Sequence, residues 1–308
     1  MKIGVIGNGR FGKLLLKHLS TNHQVTIDAP QGCNLVIFAV PNRNLEAAIA
    51  QWKPNINAQA IVMDVGSVKT LPCQILQAAF QQPTLGTHPL YGPDSAGESW
   101  QGHKVVMCRL TVTDEQFNLV QELFTSRGVE VIETTPEQHD HMMAQTQALV
   151  HFIGRALAGI EPQHISTPDY GNLLKMMEKV TNDTWELFLD MQTLNPMAAD
   201  IRSGFMNKLL QVERQVSEQA AAQATDLAQL RKQIDQVDAR IVALVGERLA
   251  IVKQVGRLKQ AQATEVQDPK RETELYLRMH QLSIEHQVPL EVVAHLFDYL
   301  MGESRKVQ

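Results

Sequence analysis

Cysteine is scarce: Cys33, Cys73 and Cys108 are the three in 308 residues, far apart and with no CxxC pair. That count argues against a disulfide framework and against a cysteine-rich zinc site, and it points to a reducing, cytoplasmic setting. No apolar run approaches the ~20 residues a membrane-spanning helix needs, so no membrane association is expected. Basic charge is not in excess, with 28 Lys and Arg against 33 Asp and Glu. The net charge of −5 lacks the footprint of a nucleic-acid binder. Internal repeats are absent too. The first strand pattern opens at Lys2, so no signal peptide is expected. What remains is ordinary globular composition, 44% hydrophobic and 20% charged, in a length suited to two domains or to two and a small third.

The charge is unevenly placed. Residues 226–308 carry 12 basic and 12 acidic side chains, so residues 1–225 hold the other 16 and 21 and the whole net charge. Two units of separate character are expected. Residues 1–135 alternate short β-branched runs (Lys2–Ile6, Gln24–Ile27, Leu35–Val40, Ala60–Asp64, Thr84–Thr87, Lys104–Met107, Val129–Ile132) with helical stretches such as Phe11–Ser20, Leu45–Gln51 and Asp114–Ser126. Alternation of this kind predicts a parallel sheet covered on both faces.

From Glu137 onward the pattern is helical, with a break at Asn195-Pro196. The polar, Ala/Gln-rich stretch after Glu213 has no apolar stripe and reads as a frayed helix or linker. The strongest periodicity follows. Leu227, Leu230, Ile234, Val237, Ile241, Leu244, Arg248, Ile251, Val255 and Leu258 form an unbroken heptad seam. A helix over Leu227–Gln260 is roughly 50 Å long. A unit of that size cannot cover such a rod alone, so a partner chain is expected. Further helices are predicted over Pro269–Gln287 and Leu290–Lys306. The expected division is 1–136 as an α/β nucleotide-binding domain, 137–215 as a helical domain, 216–226 as linker and 227–308 as a helical C-terminal domain.

Gly7-Asn8-Gly9-Arg10-Phe11-Gly12 is GxGxxG placed after the first strand, at the start of a helix. Gly7 suits the tight turn, Gly9 the approach of a pyrophosphate, and Gly12 close helix–strand packing. The helix N-terminus then faces the phosphates. Asp28 stands 21 residues after Gly7, where a carboxylate meets the adenosine ribose and favours NAD over NADP. Val40-Pro41 and Asp64-Val65-Gly66-Ser67-Val68-Lys69 end two further strands at the same sheet edge. So does Gly86-Thr87-His88-Pro89, whose histidine is placed to take a proton beside a nicotinamide. His139, His141 and His151 do not form a zinc site, because positions 139 and 141 lie about 200° apart on a helix. No metal is expected.

The glycine motif, Ala39-Val40-Pro41, Gly66-Ser67-Val68-Lys69 and His88-Pro89-Leu90-Tyr91-Gly92-Pro93-Asp94 together resemble prephenate dehydrogenase over about residues 1–215. His139-Asp140 and Gln147–Phe152 match the first helix of that family's dimerisation domain. The resemblance implies a Rossmann-type domain followed by an all-α dimerisation domain, and NAD-dependent oxidative decarboxylation of prephenate to 4-hydroxyphenylpyruvate. By it, His88 accepts the ring hydroxyl proton, Ser67 orients that hydroxyl and His88, Lys69 lies near the substrate, and His151 lines the pocket. The family's substrate-clamp arginine is replaced by Asp190 at the position read for it, with Arg202, Arg155 and Lys175 as substitutes and Arg202 preferred. Arogenate or cyclohexadienyl dehydrogenase is the alternative.

In the seam, Arg248 is a guanidinium in a core row, so it needs an anion or else sets register. Lys259 shares its helical face. Arg231 lies roughly 25 Å away along the axis, within reach only across an antiparallel pair of chains. Asp268 with Glu272, and Ser304 with Gln308, are i,i+4 pairs. This convergence suggests a dianionic ligand. The segment 227–308 resembles the three-helix, dimeric chorismate mutase, through Leu230-Arg231, Ile234-Asp235, Val237-Asp238, Glu247-Arg248, Val255-Gly256, Lys259, Asp268, Arg271-Glu272, Ser304 and Gln308. By that resemblance Arg248 and the partner chain's Arg231 hold the carboxylates of chorismate, and Lys259 and Gln308 meet the ether oxygen. Glu272 takes the hydroxyl, and Asp268 and Ser304 complete the pocket. The two resemblances name consecutive steps of tyrosine biosynthesis in a homodimer. A non-catalytic aromatic-acid sensor is the reading from another class.

Overall fold

The computed structural model describes residues 1–96, 98–224, 226–262 and 269–307. The chain divides into two compact units, Met1–Leu210 and Gln211–Gln308.

The first unit is built on seven strands: β1 Lys2–Ile6, β2 Gln24–Ile27, β3 Leu35–Phe38, β4 Ile61–Asp64, β5 Thr84–Pro89, β6 Lys104–Arg109 and β7 Glu130–Glu133. Their order is β2-β1-β3-β4-β5-β6-β7. The connecting helices are α1 Arg10–Leu19, α2 Leu45–Trp52, α3 Thr70–Ala79, the one-turn α4 Pro93–Ala96, and α5 Asp114–Thr125. Side chains alternate across the sheet, as strand geometry demands. Ile3, Val5, Leu35, Ile37, Ile61 and Met63 pack on one face with Leu14 and Leu15 of α1 and Phe117, Val120 and Phe124 of α5. Ile6, Val36, Phe38 and Val62 pack on the other with Leu45 and Ile49 of α2 and Leu76 of α3. The fold is the Rossmann-like α/β sandwich expected from the alternating pattern.

Two departures have plain causes. The β2–β3 connection carries no helix, and its loop lies on the strand: a Cβ on Gly4 would sit 3.0 Å from Pro30 Cα and 3.2 Å from Cys33 Sγ. Glycine at that position lets a short crossover hug the sheet. The sheet is also not wholly parallel. β6 pairs antiparallel with β5, through Leu85 opposite Arg109 and Pro89 opposite Val105. The link after β5 holds only α4 and stays at the edge where β5 ends, whereas a parallel return needs a crossover spanning the sheet. The α5 crossover then sets β7 parallel to β6.

The rest of the first unit is helical: α6 Pro136–Met143, a π-helical stretch Ala144–Ala148, α7 Leu149–Ala156, α8 Pro168–Thr181, α9 Trp185–Thr193 and the start of α10 Ala198–Ala222. Thr135, Thr167 and Thr184 cap α6, α8 and α9 by accepting N3 amides. Residues 216–222, placed in a linker by their polar composition, continue α10. Alanine and glutamine propensity carries the helix where no core face requires it. Thr225 of that expected linker lies outside the described residues.

In the second unit, α11 Leu227–Ala261 is one uninterrupted helix of 35 residues, capped by the Asp226 carboxylate accepting from the Gln229 amide. α12 Pro269–Glu285 and α13 Leu290–Val307 follow. The heptad seam is uncovered: Leu227 is 68% exposed, Leu244 62% and Leu258 61%. Among the described residues no helix is long and apolar enough to cross a membrane.

Candidate active sites

The glycine turn joins β1 to α1. Gly7 has φ +114°, and a Cβ there would collide with the Ala39 carbonyl; a Cβ on Gly12 would collide with the Gly7 carbonyl. Glycine is therefore required at both positions by conformation and by space. Gly9 faces open space. It is the N-cap of α1 without a side-chain cap, and the first turn holds no acidic residue. The leading amides and the dipole thus suit a phosphate. Asp28 takes the left-handed conformation at φ 49°, and its Oδ1 accepts the Gly7 N–H at 2.8 Å. The exposed carboxylate stands beside the glycine turn, where a dinucleotide ribose is read. Phe11 packs near Tyr91 with ring centroids 6.4 Å apart. Arg10 pairs with Asp94 of the His-Pro segment and donates to the Asn182 carbonyl at 3.4 Å. Val40 and Pro41 follow β3 and lead into a 3-10 turn at Asn42–Asn44. These residues fit a dinucleotide.

His88 sits on β5 itself, opposite Val106, rather than in a loop beyond it, and is 4% exposed. Its Nδ1 lies 2.9 Å from His139 Nε2. His139 Nδ1 lies 2.8 Å from Asp140 Oδ1. Asp140 also accepts the backbone N–H of Lys69 and of Thr70, each at 2.8 Å. Its backbone carbonyl accepts from Asn195 Nδ2 at 2.8 Å, so the Asn-Pro break anchors α6. Burial drives the His88 pKa well below the ordinary histidine value, helped by His139 and Lys69. Burial also lowers His139, against the opposing hydrogen bond to Asp140. Burial raises Asp140, but hydrogen bonds from His139 and Thr70, then Lys69, outweigh it and leave the carboxyl below its usual range. The relay escaped the sequence reading. His139-Asp140 was visible as a motif, yet nothing in the spacing says that His139 meets a strand residue 51 positions away.

Lys69 is wholly buried, and its ammonium pairs with Asp64. A buried ammonium demands such a counter-charge. Asp64 also accepts the Gly66 amide at 2.9 Å. Ser67 Oγ is buried and, among the described residues, without a hydrogen-bond partner, so it does not bond His88. A buried orphan hydroxyl at this edge marks a place for a ligand polar group.

His151 is 9% exposed, with Nε2 3.8 Å from Asp183 Oδ2. Burial lowers its pKa despite Asp183, and burial raises Asp183 against the pull of His151, Arg10 and Arg155. Two of the three candidate clamps, Arg202 and Arg155, are otherwise engaged. Arg202 donates to both the backbone and side-chain oxygens of Gln192, each at 2.8 Å. Arg155 donates to the Asp183 carbonyl and lies over Trp185 and Phe188. Lys175 is exposed. Asp190, where an arginine was expected, is 1% exposed and receives Arg43 Nε at 2.6 Å. Arg43 also donates to the Glu186 carbonyl at 2.7 Å. This pairing joins the turn after β3 to α9 and explains why an acid occupies that buried position.

In the second unit Arg248 donates to Ser304 Oγ at 2.5 Å and to the Leu300 carbonyl at 3.3 Å. It is drawn across to α13, as a polar residue in an apolar row must be. Glu272 pairs with Arg305 at 2.6 Å. Lys259 shares the Arg248 helix and is partly buried, while Arg231 is exposed. Asp268 and Gln308 lie outside the described residues.

Three family profiles match the chain. The prephenate dehydrogenase nucleotide-binding domain matches residues 16–133, the TYRAAT1-like C-terminal domain residues 156–238, and chorismate mutase type II residues 230–308. A probable arogenate/prephenate dehydrogenase of Methanocaldococcus jannaschii is 25% identical over 197 residues, covering 60% of this chain and 44% of that protein. The chain thus spans less than half the length of that relative. A chorismate mutase of the same organism is 33% identical over 82 residues, covering 27% of this chain and 83% of the relative. The prephenate dehydrogenase of A. aeolicus, solved with hydroxyphenyl propionate and NAD+, shares the fold at a TM-score of 0.59 and 18% identity, covering 78% of this chain and 98% of that one. Residues 16–133 match the prephenate dehydrogenase nucleotide-binding domain, and the chain belongs to the type II chorismate mutase family through its C-terminal helices.

Proposed function

We propose that the chain catalyses two consecutive reactions: rearrangement of chorismate to prephenate by its C-terminal helices, and NAD-dependent oxidative decarboxylation of prephenate to 4-hydroxyphenylpyruvate by its first unit. The observation that carries the dehydrogenase reading is His88, a neutral, buried imidazole at the sheet edge that also bears the glycine turn and Asp28. NAD, when bound, would supply the hydride acceptor for the ring carbinol carbon. Gly7, Gly9 and the α1 amides would hold its pyrophosphate and Asp28 its ribose. His88 takes the hydroxyl proton, Ser67 Oγ offers a hydrogen bond to that hydroxyl, and loss of carbon dioxide restores the aromatic ring. The protein need mainly orient and deprotonate. In the mutase, Arg248 positioned by Ser304 holds a carboxylate, and Lys259 stabilises charge developing on the ether oxygen. The uncovered seam of α11 supports a homodimer in which Arg231 comes from the partner. Buried free thiols at Cys33, Cys73 and Cys108 suit a cytoplasmic enzyme.

A coupled assay tests this reading. Chorismate plus NAD is expected to yield NADH and 4-hydroxyphenylpyruvate, with NADP supporting little turnover because Asp28 repels a 2′-phosphate. Chorismate consumption without NADH would remove the dehydrogenase half, and equal use of both cofactors would remove Asp28 from the ribose.

One observation favours arogenate as a second substrate. Arogenate carries an ammonium where prephenate carries a keto oxygen, and the half-buried Asp183 carboxylate faces the neutral His151. Asp183→Asn is expected to cut kcat/KM for arogenate about 10-fold or more, the worth of a charge-assisted contact, while sparing prephenate. An unchanged ratio of the two substrates would discard this role for Asp183.

A further inference from the structure

His88 and the two groups behind it, His139 and Asp140, form a directional chain. Asp140, held ionised by its hydrogen-bond donors, is acceptor-only. The two backbone amides of Lys69 and Thr70 already donate to it. The 2.8 Å contact from His139 Nδ1 therefore carries the proton on that nitrogen. His139 is wholly buried and neutral, so its Nε2 is a lone pair. His88 Nδ1 lies 2.9 Å from that lone pair, and two lone pairs do not approach so closely. The proton is thus on His88 Nδ1. Since His88 is neutral as well, its Nε2 is left unprotonated, and among the described residues Nε2 has no hydrogen-bond partner. The other charged groups facing this chain are Lys69 and Asp64, which pair with each other.

We propose that His139 and Asp140 are positioning residues: they hold His88 as the Nδ1–H tautomer and so leave Nε2 as the base that accepts the substrate proton. This inference rests on the reading of His88 as the catalytic base. As the proton arrives on Nε2, the imidazolium keeps a hydrogen bond to His139 and, through it, a fixed carboxylate. Neither partner touches the substrate. The arrangement follows the general rule that the tautomer of a functional imidazole is set by the bond its other nitrogen makes.

The test uses the full-length chain labelled with 15N-histidine. NMR of the ring nitrogens assigns the tautomer of His88, identified by the signals lost in His88→Asn. His139→Gln offers an amide oxygen to His88 and an N–H to Asp140, so it preserves the chain. His139→Leu removes the acceptor. Wild type and His139→Gln are expected to show His88 protonated on Nδ1 and prephenate oxidation near the wild-type kcat. His139→Leu is expected to populate the Nε2–H form and to lose about 10²-fold in kcat, with KM for NAD and chorismate rearrangement unchanged. A wild-type His88 protonated on Nε2 overturns the proposal, as does a Leu variant with unaltered tautomer and kcat. If the tautomers behave as expected but kcat is insensitive in every variant, His88→Asn included, the reading of His88 as the base is what fails.

Discussion

His88→Asn is expected to lower NAD-dependent oxidation of prephenate by about 10²–10⁴-fold, the usual contribution of a positioned general base. The substitution is close in size, so the packing of β5 against β6 through Val106 should persist. Chorismate rearrangement should stay near normal, because its residues belong to the compact unit Gln211–Gln308. The wild-type pH profile gives a second reading of the same group. Burial holds the His88 pKa well below the ordinary histidine value. A base works unprotonated, so lowering its pKa keeps it active as pH falls. The acid limb of kcat/KM should therefore lie below about pH 6.5, the ordinary histidine value. Oxidation by His88→Asn at the wild-type rate, measured as NADH formed from prephenate, would show that another group takes the proton.

Arg231→Ala and Arg248→Ala chains should each be nearly inactive as mutases, and mixing them should restore activity. The two arginines are 17 positions apart on one helix, roughly 25 Å along its axis, too far to grip one small ligand. Arg248 is held inward on Ser304, whereas Arg231 points outward from a helix whose apolar seam is uncovered. In the proposed homodimer an antiparallel partner would cover the seam and bring its own Arg231 to Arg248. Each truncation removes a charge-assisted contact of about 1.5–3 kcal/mol or more. In a mixed dimer one site receives both wild-type arginines and the other neither. Complete exchange puts about half the molecules in mixed dimers, so activity should approach about a quarter of wild type. Mass spectrometry of tagged chains checks the exchange; exchange without recovery would mean that each site is built within one chain.

Much of this architecture lies in local pattern. The seven strands, the glycine turn, the 35-residue helix and the two helices after it follow from period and turn chemistry, which act over a few residues. The glycine at position 12 is dictated by the Gly7 carbonyl five residues earlier, and Asp28 by the length of one β-α-β step. Likewise, Arg248 stands out because one charge interrupts a row of aliphatic residues.

What tertiary structure alone decided are the partners of charged groups. Lys69 stands near Ser67 in the sequence, and the fold pairs it with Asp64 because a buried ammonium needs a counter-ion. Asp190 looks like the loss of a clamp, but Arg43, 147 positions earlier, makes it a buried anchor. His139 and Asp140 acquire a role only when α6 meets the ends of β4 and β5. Sequence by itself determined the strands, the nucleotide turn and the long helix α11, since each depends on neighbours along the chain. The reversal of β6, the His88–His139–Asp140 order and the pairing of each buried charge were decided by folding, because hydrogen bonds and ion pairs join whichever polar groups the packing of distant elements brings within 3 Å.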